Sequence, residues 1–355
     1  MRFMFFNGSR FFCLIVATLF INCKSMEPAK LPTQKPPHHT ADGFENPHHS
    51  KMRGFSAVLK WQFGRGPYEP PPVPIADIPP FRPDYAEPDL DRIHKPDSSR
   101  IQVTWIGHAT FLLQVAGVNI LTDPMFSKRC SPVSFVGPRR LSQPGIAFEQ
   151  LPDIHAVIIS HDHYDHLDSE TIDRLGTKPA YFVPLKVGDW LREKGIEPAF
   201  EGDWWQQAQF RGLTLHCVPA QHFSGRSPFG RNATLWSGWV IATPAGNLYF
   251  AGDTGYSPDF KEIGQRFGKM RVAMIPIGAY SPRWFMGPVH VSPPEAVQIH
   301  QDVRSENSIG MHWGAFNLAD ERMAEPPIYL DKALRDAQVN PASFQVLRFG
   351  ETVTF

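Results

Sequence analysis

The sequence predicts a mixed α/β (α+β) fold in which two β-sheets pack together with helices outside. Three observations carry this. Apolar, β-branched runs of strand length recur between residues 101 and 313. Amphipathic segments of helical period separate them. Polar residues of metal-ligating type stand just after several of the runs. The chain has 355 residues and is 42% hydrophobic, enough for one large domain or two modest ones.

The N-terminus differs in character. Arg2 and Arg10 flank a short lead, and residues 11–21, FFCLIVATLFI, are apolar throughout. A spanning helix needs roughly 20 such residues, so residues 1–24 are expected to be a signal peptide or a membrane anchor. Cys23 follows the run, as in a lipoprotein signal, although Phe20, Ile21 and Asn22 match that pattern poorly. The expected location is therefore exported, in the cell envelope, either periplasmic or membrane-anchored, with lipidation of Cys23 left open.

Residues 25–99 read as a proline-rich N-terminal arm, with PPP at 70–72 and PP at 79–80. Missing backbone donors and blocked helices predict irregular chain there. The pairs His38-His39 and His48-His49 read as solvated loop histidines. The stretch FSAVLKWQFGRGPY, residues 55–68, mixes aromatic with basic residues, as an interfacial segment does; packing of those aromatics on the fold is the alternative. Cys13 and Cys23 belong to the signal region, and Cys130 and Cys217 are too few and too far apart for a disulfide framework. Cys217, inside LTLHCV, is expected to be an inert core residue.

Residues 100–355 are expected to form the folded domain. Short strands are predicted over 101–106, 111–115 and 118–121, with turns at GHAT and AGVN. Further strands are predicted at 156–160, 180–183, 213–218, 236–243, 247–252, 272–277 and 308–313. Helices are predicted at 169–175, 185–194, 258–267, 293–303 and 320–336. The fourth is well marked, with Ser292 as N-cap, Pro293 at the first helical position and Glu295 placed for a capping box.

The chemistry gathers where strands end. AVIIS runs straight into HDHYDH, so His161, His163, Asp165 and His166 follow a buried strand as H-x-H-x-D-H. Alternate residues of an extended turn bring His161 and His163 to one side, with Asp165 and His166 at a neighbouring point. Imidazole suits zinc, and carboxylate is the harder ligand. One loop thus offers ligands for two adjacent cations, and two cations need more. His222, Asp253 and His312 each follow another apolar run.

These residues resemble the metallo-β-lactamase superfamily, whose fold is an αββα sandwich with metals at one edge. WIGHATFLLQ (105–114), LTDPMFSKRCSPVSFVGPRR (121–140), AGDTGYSPDF (251–260), GPVHVSPPEA (287–296) and GMHWGAFNLADE (310–321) narrow the likeness. With SHDHYDHLD they resemble the N-acylphosphatidylethanolamine-hydrolysing phospholipase D branch, over roughly residues 61–355. The resemblance implies two zinc ions per chain. His161, His163 and His222 would hold one, and Asp165, His166 and His312 the other. Asp253 would bridge them beside a shared water or hydroxide. It also implies Asp165 as acceptor of the nucleophile's proton and His290 as the residue that orients the phosphate or protonates the leaving oxygen. His108 is expected to support a ligand carboxylate or bond a carbonyl. Tyr164 is expected at the site as a substrate contact or a rim aromatic, and His155 and His216 as packing residues.

The implied reaction is hydrolysis of N-acylphosphatidylethanolamine, or a related glycerophospholipid, to phosphatidic acid and an N-acylethanolamine. Two metals about 3.5–4 Å apart would acidify a bridging water and polarise the phosphoryl group. The H-x-K-x4-D pair of the phosphohistidine-forming phospholipases D is missing, since His94-Lys95 has the wrong spacing. The expected partner is a phospholipid at a membrane surface, with a homodimer left open. Lys+Arg and Asp+Glu both number 35, so no nucleic-acid partner is expected and a nuclease is disfavoured. A lactonase, a cyclic-phosphate diesterase and a non-catalytic envelope protein with a vestigial metal site remain the other readings.

Overall fold

The computed structural model describes residues 35–48, 54–226 and 230–355. The signal or anchor expected over 1–24 lies outside them, with Cys13 and Cys23. One compact body runs over Pro37–Phe355.

The division expected at residue 99 is therefore not a division in packing. Helix α1 (Phe55–Gln62) forms in a window free of proline, and α2 (Leu90–His94) starts where the Asp89 side chain accepts from the Arg92 N–H at 3.0 Å. Phe44, Val73, Ile78 and Ile93 are buried. Proline removes donors, but it does not stop the residues between prolines from covering a hydrophobic surface. His38 is likewise buried rather than solvated.

Fourteen strands build two seven-stranded sheets among the described residues. The first contains β1 (Gln102–Gly107), β2 (Thr110–Val115), β3 (Val118–Thr122), β4 (Ala156–Ile158), β5 (Ala180–Pro184) and β6 (Phe200–Gly202). The second contains β7 (Gln207–Phe210), β8 (Leu213–Val218), β9 (Gly238–Thr243), β10 (Gly246–Phe250), β11 (Met270–Pro276), β12 (Ser308–Met311) and β13 (Phe344–Gln345). β14 (Thr352–Thr354) returns to pair with β1, giving the orders β14-β1-β2-β3-β4-β5-β6 and β13-β12-β11-β10-β9-β8-β7. Each sheet is antiparallel in one half and parallel in the other, β3 to β6 and β10 to β13.

Parallel neighbours need crossovers. α3 (Ser169–Leu175) and α4 (Val187–Glu193) serve the first sheet. α5 (Asp259–Phe267), the short α6 (Arg283–Met286), α7 (Pro293–Asp302) and α8 (Glu325–Asp336) serve the second. Residues of a strand alternate between faces, and here both faces are apolar. Phe111, Leu113, Ile120, Ile158 and Phe182 point into the core between the sheets with Leu215, Trp239, Phe250 and Met274. Leu112, Leu121, Val157 and Tyr181 point the other way, under Ile172, Leu175, Val187 and Leu191 of α3 and α4. The result is the predicted sandwich of two sheets with helices outside.

Several elements differ from expectation, β6, β7, β13 and β14 among them. The helix expected from 320 begins at Glu325, with Pro326 in its first turn. Upstream, the Glu321 carboxylate accepts the Ala279 and Ser281 N–H groups at 2.6 and 3.0 Å, which holds that stretch as a loop against the body. β7 was not foreseen, because QAQF is an edge strand with alternate residues exposed and no apolar run.

Candidate metal centre

Strands that point the same way end at the same edge of a sheet, and loops leaving those ends meet there. Asp123 follows β3, and the loop carrying His161, His163, Asp165 and His166 follows β4. His222 follows β8, Asp253 follows β10, and His312 directly follows β12. Several of these residues have left-handed backbone, with φ 56° at His108, 32° at Asp123 and 61° at His312. Such conformations are unfavourable for side-chain-bearing residues and persist where the surroundings impose them. Gly252, at φ 60°, is required before Asp253: a Cβ there would lie 2.6 Å from the Ser160 Cβ and 2.9 Å from the Ser237 carbonyl oxygen.

All seven residues expected as metal ligands come together. His161 Nε2 and His163 Nδ1 are 2.8 Å apart, and His222 Nε2 lies 3.2 Å from His163 Nδ1. Asp165 Oδ2 lies 3.4 Å from both His166 Nε2 and His312 Nε2. Asp253 Oδ2 stands between the groups, 3.0 Å from His312 Nε2, 3.2 Å from His166 Nε2 and 3.8 Å from His222 Nε2. His290 joins them, with Nδ1 3.9 Å from Asp253 Oδ2.

The outer atoms of these side chains are tied down, which orients the inner ones. His166 Nδ1 faces Asp123 Oδ2 at 2.7 Å, His222 Nδ1 faces the Val289 carbonyl at 2.8 Å, and His161 Nδ1 faces Ser160 Oγ at 2.8 Å. His108 Nε2 lies 3.0 Å from Asp165 Oδ2, the supporting role expected of it. By contrast, the inward atoms His166 Nε2, His312 Nε2 and Asp253 Oδ1 are buried and have no hydrogen-bond partner among the described residues. Leaving such atoms unsatisfied is costly; a cation between them would satisfy all three.

The electrostatics agree. Burial, with neighbouring imidazoles, holds His161 well below the usual histidine range and His163 at about 3, and burial takes His222 to about 4. These rings are neutral and free to ligate. Burial also opposes charge on His166 and His312, but Asp253 and Asp165 overcome it, raising His166 well above its usual value and His312 to about 9. Against burial, the same contacts hold Asp253 and Asp165 well below the carboxylate range. The pocket between the two carboxylates thus favours positive charge. Five imidazoles among the seven donors fit a zinc-class dication better than magnesium or calcium.

Asp123 was not singled out from the sequence. Its signal was there, an aspartate directly after an apolar run, as with Asp253. The other histidines lie apart: His155 Nδ1 accepts the Asn119 N–H at 2.9 Å, and His216 packs on Phe267 with ring centroids 4.7 Å apart. Cys130 and Cys217 are free and buried.

Tyr164 sits at the rim and donates to the Arg226 carbonyl at 2.7 Å. Arg226 lies over the Tyr164 ring and donates to the carbonyls of Asp162 and Leu167 at 2.8 and 2.7 Å, which braces both ends of the ligand loop. Beyond them opens a cleft of about 1050 Å³, lined in part by Phe126, Lys128, Arg129, Trp190 and Arg226. Phe135, Val136 and Leu141 are exposed on the following loop.

A model of the beta-lactamase superfamily domain matches residues 118–313. The chain is 46% identical over 241 residues to the uncharacterized protein Rv0906 of Mycobacterium tuberculosis, covering 66% of this chain and 64% of that one. It therefore spans just under two thirds of that relative. It is 40% identical over 268 residues to N-acyl-phosphatidylethanolamine-hydrolyzing phospholipase D 1 of Caenorhabditis elegans, covering 71% of this chain and 75% of that one. Among solved structures it is similar to Igni18, a metallo hydrolase from Ignicoccus hospitalis. That match has a TM-score of 0.55 at 24% identity, and covers 72% of this chain and 98% of that one.

Proposed function

Since the chain belongs to the metallo-β-lactamase superfamily of metal-dependent hydrolases, in the branch of the N-acylphosphatidylethanolamine-hydrolysing phospholipases D, we propose that it is a zinc-dependent phosphodiesterase that hydrolyses N-acylphosphatidylethanolamine or a close glycerophospholipid. The observation that carries this is the position of Asp253, whose Oδ2 lies within 3.8 Å of ring nitrogens of His222, His166 and His312. One carboxylate in reach of both donor groups is what a shared ligand of two cations requires. His161, His163 and His222 would hold one zinc, and Asp165, His166 and His312 the other.

When bound, such a pair supplies Lewis acidity toward a phosphoryl oxygen and lowers the pKa of water toward neutrality. The chain's residues do the rest. Water adds to phosphorus and the bond from phosphorus to the ethanolamine oxygen breaks, which leaves phosphatidic acid and N-acylethanolamine. Asp165 receives the proton of the attacking water, and His108 holds its carboxylate in place. The proton that Asp165 takes from water passes to the departing ethanolamine oxygen, which leaves as the neutral alcohol. His290 hydrogen-bonds a phosphoryl oxygen. Its backbone is fixed for this, because its N–H donates to Met286 and its carbonyl accepts from Arg283 at 2.9 and 2.7 Å.

The substrate is a membrane lipid, so the reading includes docking at a lipid surface. Exposed Phe135, Val136 and Leu141 stand near Lys128, Arg129 and Arg139 in the sequence, the mixture of an interfacial segment. Segment 55–68 supports docking less. Leu59, Phe63 and Tyr68 are exposed, but Trp61 stacks on Phe285 at 4.9 Å and donates to Asp320. Among the described residues no helix is long and apolar enough to cross a membrane. An envelope address carried by residues 1–24 belongs to the same proposal.

The test is a substrate panel: zinc-loaded protein with vesicles of N-acylphosphatidylethanolamine, and separately with a lactone and a cyclic phosphate, the products identified by mass. Phosphatidic acid and N-acylethanolamine are expected. Turnover of the lactone or cyclic phosphate alone would replace this reading.

A further inference from the structure

We propose that His38, His39 and Asp203 form an additional metal site, separate from the catalytic centre, for a zinc-class dication. The observation begins with a strap, residues 37–48, that lies on the body. Its turn is closed by bonds from Thr40 N–H to the Gly43 carbonyl and from Glu45 N–H to the His38 carbonyl, both 2.9 Å. The turn presents two consecutive histidines to one carboxylate. His38 Nε2 lies 2.6 Å from Asp203 Oδ1, and His39 Nε2 lies 2.7 Å from Asp203 Oδ2. All three donor atoms fall within 4.8 Å of one another. The spacing resembles that of the catalytic donors His161 and His163, at 2.8 Å.

The donors are held by rigid neighbours. The His38 ring stacks on Trp204 with centroids 4.1 Å apart, and the Trp204 indole N–H donates to the Trp236 carbonyl at 2.7 Å. Asp203 Oδ1 also accepts the Trp204 N–H at 2.8 Å. Two imidazoles with one carboxylate select zinc-class ions over magnesium or calcium, and leave a fourth position for water.

The site would act as a staple. The strap meets the body backbone to backbone: Phe44 N–H donates to the Asn232 carbonyl at 2.9 Å, and a Cβ on Gly43 would lie 2.1 Å from that same oxygen. Further along, the Asn46 side-chain amide donates to the carbonyl of His222 at 2.8 Å. A metal at one end of the strap therefore fixes a segment whose other end touches a residue of the catalytic centre.

The experiment compares zinc content, after exhaustive dialysis, between the full chain and its His38→Ala/His39→Ala double variant. His39→Gln serves as a milder substitution, and circular dichroism checks the fold. We expect the folded variants to hold one zinc equivalent fewer than the parent chain, and zinc to raise their Tm less. The difference is independent of how many ions the catalytic centre holds, so the result stands even if the reading of that centre fails. Equal zinc content in parent and folded variants would overturn the proposal and leave the cluster as a pair of histidine–aspartate hydrogen bonds.

Discussion

Asp123 Oδ2 lies 2.7 Å from His166 Nδ1, and both side chains are fully buried. The same carboxylate accepts the Ser160 N–H at 2.7 Å and the Ser160 hydroxyl at 2.5 Å. One residue after β3 thus anchors the start of the ligand loop and sets one of its ligands. With Nδ1–H donated to Asp123, His166 turns Nε2, the atom a metal would take in place of its proton, toward Asp165 and Asp253.

Replacing Asp123 should therefore weaken metal binding although it touches no ion. Asp123→Ala is expected to lower zinc affinity about 10–100-fold, the usual scale for partners of ligating histidines. Competition with a chromophoric chelator measures it. Unchanged affinity would show that His166 needs no such partner.

Asp253→Asn should keep the fold and lose at least about tenfold in turnover, since a neutral amide bridges two cations poorly and two-metal charge stabilisation is worth several kcal/mol. Turnover per folded protein is the readout. A variant above a tenth of the parent rate would mean that Asp253 is not shared between ions.

Zinc binding should depend on pH with a definite sign. Asp253 and Asp165, working against burial, raise His166 well above its usual value and His312 to about 9, so both rings carry protons at pH 7 before metal enters. His163 and His222, at about 3 and 4, do not. The ion must displace the protons of His166 and His312. Affinity should rise as pH increases from 6 toward 9, with protons released at pH 7. Calorimetry in buffers of different ionisation enthalpy reads the release directly, and proton uptake would contradict the assignment.

Phe135→Ser with Val136→Ser should reduce binding to anionic vesicles several-fold while sparing hydrolysis of a short-chain, soluble phosphodiester. Both side chains are exposed, so their loss should not cost stability. Vesicle co-sedimentation and a soluble-substrate assay separate the two effects. Equal loss of both would place these residues in catalysis rather than docking.

Much of the centre was legible because its parts announce themselves locally. H-x-H-x-D-H is compact, and His222, Asp253 and His312 each stand at the end of an apolar run. Asp123 escaped although it follows an apolar run as Asp253 does, because it stands 38 residues before the H-x-H-x-D-H loop and its role is to hold His166, a contact made only in the folded chain. The sandwich was legible from strand-length runs. The arm was not, since its packing depends on Phe44, Val73 and Ile78 meeting a surface made elsewhere in the chain. β13 and β14 are two and three residues long, and pairing with β12 and β1 defines them rather than any pattern of their own.

The central claim is that the protein directs water onto phosphorus. Hydrolysis of N-acylphosphatidylethanolamine in oxygen-18 water, followed by mass analysis of both products, tests it most directly. The account predicts the label in phosphatidic acid, because the bond from phosphorus to the ethanolamine oxygen is the one that breaks. Label in the N-acylethanolamine would mean cleavage on the carbon side and would contradict it.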